Sequence, residues 1–462
     1  MNRQLRQVKS IRGEVEIPAS YREALTIALP ALFAAGDTVI RNMPKCGGTE
    51  GLFAFLNKYF SVSREAGNMT IRGSNGFASP SLPAEIDAEA VPDVLERLLP
   101  LFFSRGVKIF CNKQALTRRF EHTLKRLDAA GFMLSRSEVD GKVRLELSSS
   151  APDVVEMELS FPDEAVKTAC VFALVAAGTG TSKLIETTPL SGDCEAILKK
   201  MGADIHVQRK GGEMSADSPE ESEPVDELEK RIRRIQAKKE SSVERPLKII
   251  TIKECKQLTG ATFDLQGDLL LAAPFALAAT LLNNSKVTCS RVGGSALSGL
   301  LITLRRMGAL IKTDRRRDAD AFDLVAEPAK LSGRRISGEL TAGIGELFPF
   351  AAMAAAYAQG QTLIRDAAFL HDGPVDIIDG TIKNLKAMGV HVGEMEDGIV
   401  IEGAKEYDGA EFDTFGHPAL GLAFAAAAVK NKGESVIKNA EAVDFLWPDF
   451  YFKFESLLEQ GK

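Results

Sequence analysis

The residues able to do chemistry are few and stand mostly at the starts of apolar segments. Arg97 lies among Leu95, Leu98 and Leu99, and Arg118 lies in Thr117-Arg118-Arg119, just ahead of a helical pattern. Glu346 precedes an Ala-rich run, His417 begins another, and Asp268 precedes Leu269-Leu270-Leu271. A side chain at such a place can cap the first-turn N–H groups beside the positive helix end, or it can move a proton. Both roles fit Glu346 and His417, whereas Asp268 reads as an N-cap at a hinge. A few guanidiniums converging on one cleft suit a small anion, because each makes charge-assisted, often bidentate contacts to carboxylate or phosphate. Gly293-Gly294 followed by Ser295 is a weaker signal, a short backbone cradle for phosphate. Asp163-Glu164 and His371-Asp372 add an acidic group and an imidazole–carboxylate pair.

Composition narrows the ligand further. The chain has 462 residues, 45% of them hydrophobic and 26% charged, with a net charge of −6 and no basic block. That balance excludes a nucleic-acid partner, whose binding depends on neutralising phosphates. The six cysteines form no Cys-x-x-Cys pair and read as small apolar fillers. The five histidines are dispersed, so neither a metal site nor a cofactor is expected. Residues 1–10 carry Arg3, Arg6 and Lys9 with no apolar run behind them, unlike a secretory signal. The apolar stretches near 269–282, 347–358 and 418–429 are too short to span a bilayer and read as buried helices. The expectation is a soluble, reduced, cytoplasmic protein with no membrane contact.

The elements that must position these residues repeat. An apolar helix runs into Gly or Asn and then a β-branched strand at Gly36, Gly106, Gly180, Asn284, Gly360 and Gly433. About 25 residues after most of these, a second helix ends in a phrase such as Leu198-Lys199-Lys200-Met201-Gly202 or Leu304-Arg305-Arg306-Met307-Gly308. The sixth such phrase is Leu457 to Gly461. A Gly past the last helical turn takes the left-handed conformation cheaply and caps the carbonyls. Each α/β unit is therefore helix, strand, helix and a strand pair, and must pack on its neighbours to bury its apolar face. The step between copies is about 70–75 residues, except for about 105 between the third and fourth. The excess, 211–245, is rich in Glu, Lys and Ser and reads as a charged surface insertion or a docking element for another protein.

Six units in two sets of three, with short N-terminal strands, resemble the enolpyruvyl transferases, EPSP synthases above all. Several phrases carry the likeness: Pro18-Ala19-Ser20, Gly267-Asp268, Ile344-Gly345-Glu346-Leu347-Phe348-Pro349 and Trp447-Pro448-Asp449-Phe450. The resemblance implies an α/β fold of two domains, residues 19–265 and residues 1–18 plus 266–462, with the active cleft between them. It implies carboxyvinyl transfer from phosphoenolpyruvate to shikimate 3-phosphate or a related cyclic phosphorylated alcohol. By the same carry-over, Glu346 and His417 are catalytic and Asp268 is the hinge. Ser20, Arg22, Arg97, Arg118 and Asp376 bind substrate.

Other positions depart from the family pattern. Tyr21 stands where a donor-binding Lys belongs, Phe445 replaces the last Lys, and Gly47-Gly48-Thr49 replaces Asp-Asp-Thr. Pro162-Asp163-Glu164 replaces the Ser-Ser-Gln that holds the acceptor phosphate. Each lost charge-assisted contact forfeits on the order of 1.5–3 kcal/mol. A second reading therefore stays open: a relative that binds a different small molecule, or a partner subunit acting through 211–245.

Overall fold

The computed structural model describes the whole chain except residues 90, 149–151, 178–179, 191–193, 211–246, 295–297, 318–319, 404–405 and 460–462. The charged insertion, Ser295 and the end of the sixth phrase at Gly461 thus lie outside the described residues.

The repeat begins with one backbone feature. All six residues that end the first helix of a unit turn left-handed, from Gly36 at φ 80° to Asn284 at φ 56°. Asparagine serves because its short polar side chain tolerates that region better than most. The strand that follows, such as Asp37–Arg41, lies parallel to an outer strand and antiparallel to a hairpin, here Ser61–Glu65 and Asn68–Arg72.

Six small sheets result. Three draw all their strands from 37–264, and three from 3–16 and 286–459. Strands distant in sequence close both sets. Thr262–Asp264 pairs with Asp37–Arg41 in the first sheet, and Ser10–Glu16 pairs with Lys286–Gly293 in the fourth. In the sixth sheet the place of the hairpin is taken by Arg3–Arg6, antiparallel to Glu434–Lys438, while Leu458–Glu459 pairs instead with Ser10–Glu16.

Apolar helices fill the space between sheets. Leu269–Leu281, Phe348–Ala356 and Pro418–Lys430 are buried over nearly their whole length, as is Glu164–Ala177 in the other set. A helix apolar all round belongs in a core. No helix among the described residues is long and apolar enough to cross a membrane. All six thiols are buried and none forms a disulfide.

The chain passes twice between the two sets of sheets, and the passages lie side by side. Ser20 N–H donates to the Gln266 carbonyl at 2.9 Å, and Asp268 N–H to the Pro18 carbonyl at 2.9 Å. A Cβ on Gly267 would lie 2.8 Å from the Arg291 carbonyl oxygen and 2.9 Å from that of Ile17, so only glycine fits.

Candidate active site

A cavity of about 240 Å³ opens between the two sets, and helix starts supply much of its wall. Arg22 is in the first turn of Tyr21–Ala31, and Glu164 opens Glu164–Ala177. Asp268 and His417 cap Leu269–Leu281 and Pro418–Lys430, and Glu346 stands just ahead of Phe348–Ala356. The apolar helices are held by their sheets, so their polar first turns are left at the cleft.

Three arginines line the cavity, and they differ in their partners. Arg22 pairs with Glu346 across the cleft. Burial pulls its guanidinium below the ordinary value, against the opposing pull of Asp268 and Glu164. Arg119 Nε lies 3.1 Å from Glu96 Oε2, and its Nη1 lies 3.9 Å from Asp163 Oδ2. Burial pulls Arg119 down too, but Asp163 and Glu96 more than offset it and leave it raised. Arg97 is only 8% exposed, and its Nε has no hydrogen-bond partner among the described residues. No ion pair reaches it there either. A buried guanidinium without an acceptor costs free energy unless something else supplies the anion.

His417 is the most shifted imidazole. Burial, then Arg22 and Arg119, push it down to about 3, so it is neutral at physiological pH. Its Nδ1 accepts from Ala419 N–H at 3.2 Å, which leaves the ring proton on Nε2. The ring can donate a hydrogen bond but is not a stored proton.

The structure thus brings Arg22, Arg97, Glu346, His417 and Asp268 to one cavity. Three other predicted site residues lie elsewhere. Arg118 is exposed at the start of helix Arg118–Ala129, and the next residue, Arg119, lines the cavity in its place, because one step along a helix turns a side chain by about 100°. Asp376 caps Ile377–Ala387 through Asp379 N–H at 2.9 Å and accepts from His371 Nδ1 at 2.7 Å. Ser20 donates to Asp268 Oδ2 at 2.8 Å and lines a second cavity of about 170 Å³, with Gly293 and Gly294, behind Arg22 and Asp268. Arg119 and Glu96 were missed. The signal for both was position on a helix: Glu96 is as buried in its short helix as Arg97.

Both lips of the cleft are bridged. On one side Arg119 N–H donates to the Asp372 carbonyl at 2.8 Å, and His122 Nε2 lies 3.2 Å from Asp372 Oδ2. On the other, the rings of Tyr21 and Phe445 meet edge to face at 5.3 Å. The Tyr21 hydroxyl bonds Asp93, and Gly48 makes the room, since a Cβ there would sit 3.0 Å from Tyr21 and 3.1 Å from Phe445.

Two triplets of strand–helix units around a polar interdomain cavity define an enolpyruvyl-transferase-like protein. The family described as EPSP synthase (3-phosphoshikimate 1-carboxyvinyltransferase) matches residues 5–226 and 221–454. The chain belongs to that family. It is 26% identical over 470 residues to the 3-phosphoshikimate 1-carboxyvinyltransferase of Solibacter usitatus, covering 99% of this chain and 100% of that one. A Thermoanaerobacter enzyme of the same name is 32% identical over 205 residues, 44% of this chain and 48% of its own. Among solved structures, EPSP synthase from Acinetobacter baumannii superimposes with a TM-score of 0.73 at 19% identity, over 99% of this chain and 98% of that one. The enolpyruvyl transferase NikO from Streptomyces tendae gives 0.68 at 17%, over 98% and 96%. Both show the same fold.

Proposed function

We propose that this chain transfers a carboxyvinyl group from phosphoenolpyruvate to a hydroxyl of a small cyclic acceptor. The transfer would take place in the cleft between a domain of residues 19–265 and one of residues 1–18 plus 266–462. One observation carries the reading: three arginines converge on a single cavity, and one of them, Arg97, is buried with no anionic partner among the described residues. Phosphoenolpyruvate is small, highly charged and rich in acceptor oxygens, so it suits such a group.

Glu346 is the base of this mechanism. It takes the acceptor's hydroxyl proton once the donor's oxygens draw Arg22 away from it. The acceptor oxygen then bonds to C2 of the donor as the C2=C3 π bond opens, and C3 gains the proton that Glu346 took. In the second step Glu346 takes a proton back from C3, the C2–O bond to phosphate breaks, C2=C3 re-forms, and the proton leaves with the phosphate. Neutral His417 steadies charge through Nε2–H. Domain closure excludes water from these steps. Phosphate release coupled to gain of a carboxyvinyl group, read by mass spectrometry with phosphoenolpyruvate and a panel led by shikimate 3-phosphate, tests the reading. No release above blank with any cyclic acceptor removes it.

The Tyr21–Phe445 contact supports a second reading, a relative that has changed its small-molecule ligand. Aromatic rings occupy two positions where the family resemblance expects lysines, and rings offer a trianion no charge. A melting-point screen of anionic and cationic metabolites separates the readings, because a ligand of the folded state raises the midpoint. The partner-subunit form of this reading rests on 211–245, and deletion of that segment with unchanged association would remove it.

A further inference from the structure

Resting on the transferase reading above, we propose that Glu96 is a positioning residue that holds the Arg119 guanidinium at the cleft as an anion-binding group. Its two carboxylate oxygens grip two residues of one helix, Arg118–Ala129. Glu96 Oε2 accepts from Arg119 Nε at 3.1 Å, and Glu96 Oε1 accepts from Thr123 Oγ1 at 2.8 Å. Residues four apart lie on the same helical face, so the carboxylate clamps one side of the first turn. Glu96 is 3% exposed, and Thr123 is fully buried. Turning this helix about its axis would strip a buried carboxylate of both donors, which costs far more than losing a surface contact. The helix is therefore fixed in the orientation that brings Arg119 to the cavity and leaves Arg118 exposed.

The clamp takes only the near side of the guanidinium. Arg119 Nη1 lies 3.9 Å from Asp163 Oδ2, too far for a hydrogen bond, and Asp163 Oδ1 is engaged by Ala165 and Val166 N–H at 2.8 and 3.1 Å. An arginine anchored through Nε can still present its end-on pair of amino groups to a carboxylate or a phosphate. Its rotamer freedom is lost before any ligand arrives, so the anion meets a preorganised donor. The main chain of Arg119 shares in the arrangement, since its N–H donates to the Asp372 carbonyl across the cleft at 2.8 Å. Fixing this one turn thus sets an anion-binding side chain and an interdomain bridge together.

The test titrates phosphoenolpyruvate and shikimate 3-phosphate calorimetrically into the full chain, Arg119→Gln, Glu96→Gln and the double variant. Arg119→Gln is expected to weaken at least one of the two anions about tenfold or more, and the ligand affected tells whether donor or acceptor oxygens meet Arg119. Glu96→Gln is expected to weaken that same ligand severalfold in the parent chain but less than twofold on the Arg119→Gln background, because Glu96 acts through Arg119. A merely structural Glu96 would weaken binding equally on both backgrounds, and that result overturns the proposal. Unchanged or tighter binding in either single variant overturns it too, as does absence of binding by both anions to wild type at millimolar concentration. Should Glu96→Gln not fold, Arg119→Lys takes its place. Lysine keeps the charge but has no Nε anchor, so binding is expected to fall severalfold, and full retention contradicts the clamp. Carboxyvinyl transfer with binding that ignores Arg119 leaves the transferase reading standing alone, whereas Arg119-dependent binding without transfer leaves the clamp standing alone.

Discussion

Two clusters of buried charge lie on either side of the start of helix Glu164–Ala177, and they are built on opposite terms. Behind the cavity wall, Lys167 and Lys248 face Glu186 and Glu195. Lys167 lies 3.3 Å from Glu186 and 2.9 Å from Glu195, while Lys248 lies 2.7 Å from Glu195 and 3.7 Å from Glu186. Each charge has two opposite neighbours. In the cavity, Arg97 has none among the described residues. Leu190 joins the two regions: it lines the cavity, donates its N–H to Glu186 at 2.8 Å and accepts from Lys248 at 2.9 Å. A network in which every charge is ion-paired fixes a wall and is structural, even though Lys167 Nζ and Glu186 Oε1 make no hydrogen bond there. A cation with no ion pair among the described residues, beside a void, is instead poised for a ligand. The contrast separates support from site without reference to any relative.

The largest effect should come from breaking the ion-paired cluster. Lys167→Met leaves two buried carboxylates to one lysine and is expected to cost about 3–5 kcal/mol in urea unfolding. Arg97→Met should do the reverse, raising stability by about 1–2 kcal/mol because it removes an unsatisfied buried donor. Equal losses in the two variants would erase the distinction.

The two clusters also differ in their response to acid. Burial raises Glu195, but Lys167 and Lys248 more than offset this and hold it at about 2, against an ordinary 4.5. Its folded-state value is depressed, so its stabilisation is fully present above 4.5 and is lost as pH falls toward 2. The loss is on the order of 3 kcal/mol, and Glu195→Gln should flatten that part of the stability profile. His417 acts at higher pH. With a folded value near 3 against 6.5 unfolded, the unfolded state binds its proton first, so stability declines from 6.5 downward. His417→Asn should remove that earlier decline while keeping a side-chain acceptor at the cap. The smallest effect is at the lip, where Gly48→Ala presses a methyl against the Tyr21 and Phe445 rings. Phe445 is 41% exposed and can swing aside, so the cost should be about 1 kcal/mol, read as a modest fall in melting temperature.

Much of the fold was legible because its signal is local. A left-handed residue after an apolar helix marks every unit, and it is visible as Gly or Asn in the sequence. Closure of the sixth sheet by Arg3–Arg6 was not legible, since that strand comes from the opposite end of the chain and carries no mark of its partner. The site was legible in part. Arg97 stood out as a charge in an apolar stretch, and Lys167 could have been read the same way, as the lone charge in residues 165–177. The choice between Arg118 and Arg119 was beyond sequence spacing, because it turns on where a helix begins to within one residue. Ion pairing across the cleft, such as Arg22 with Glu346, joins residues over three hundred positions apart and needs the fold to be seen.

Titrating phosphoenolpyruvate calorimetrically into the wild-type chain and into Arg97→Met tests Arg97 as the cleft's anion anchor most directly. Saturable binding to wild type, weakened roughly tenfold to a hundredfold in the variant, is the expected result, matching the loss of one charge-assisted contact. Equal affinity in the two proteins, or no binding to wild type, would contradict it.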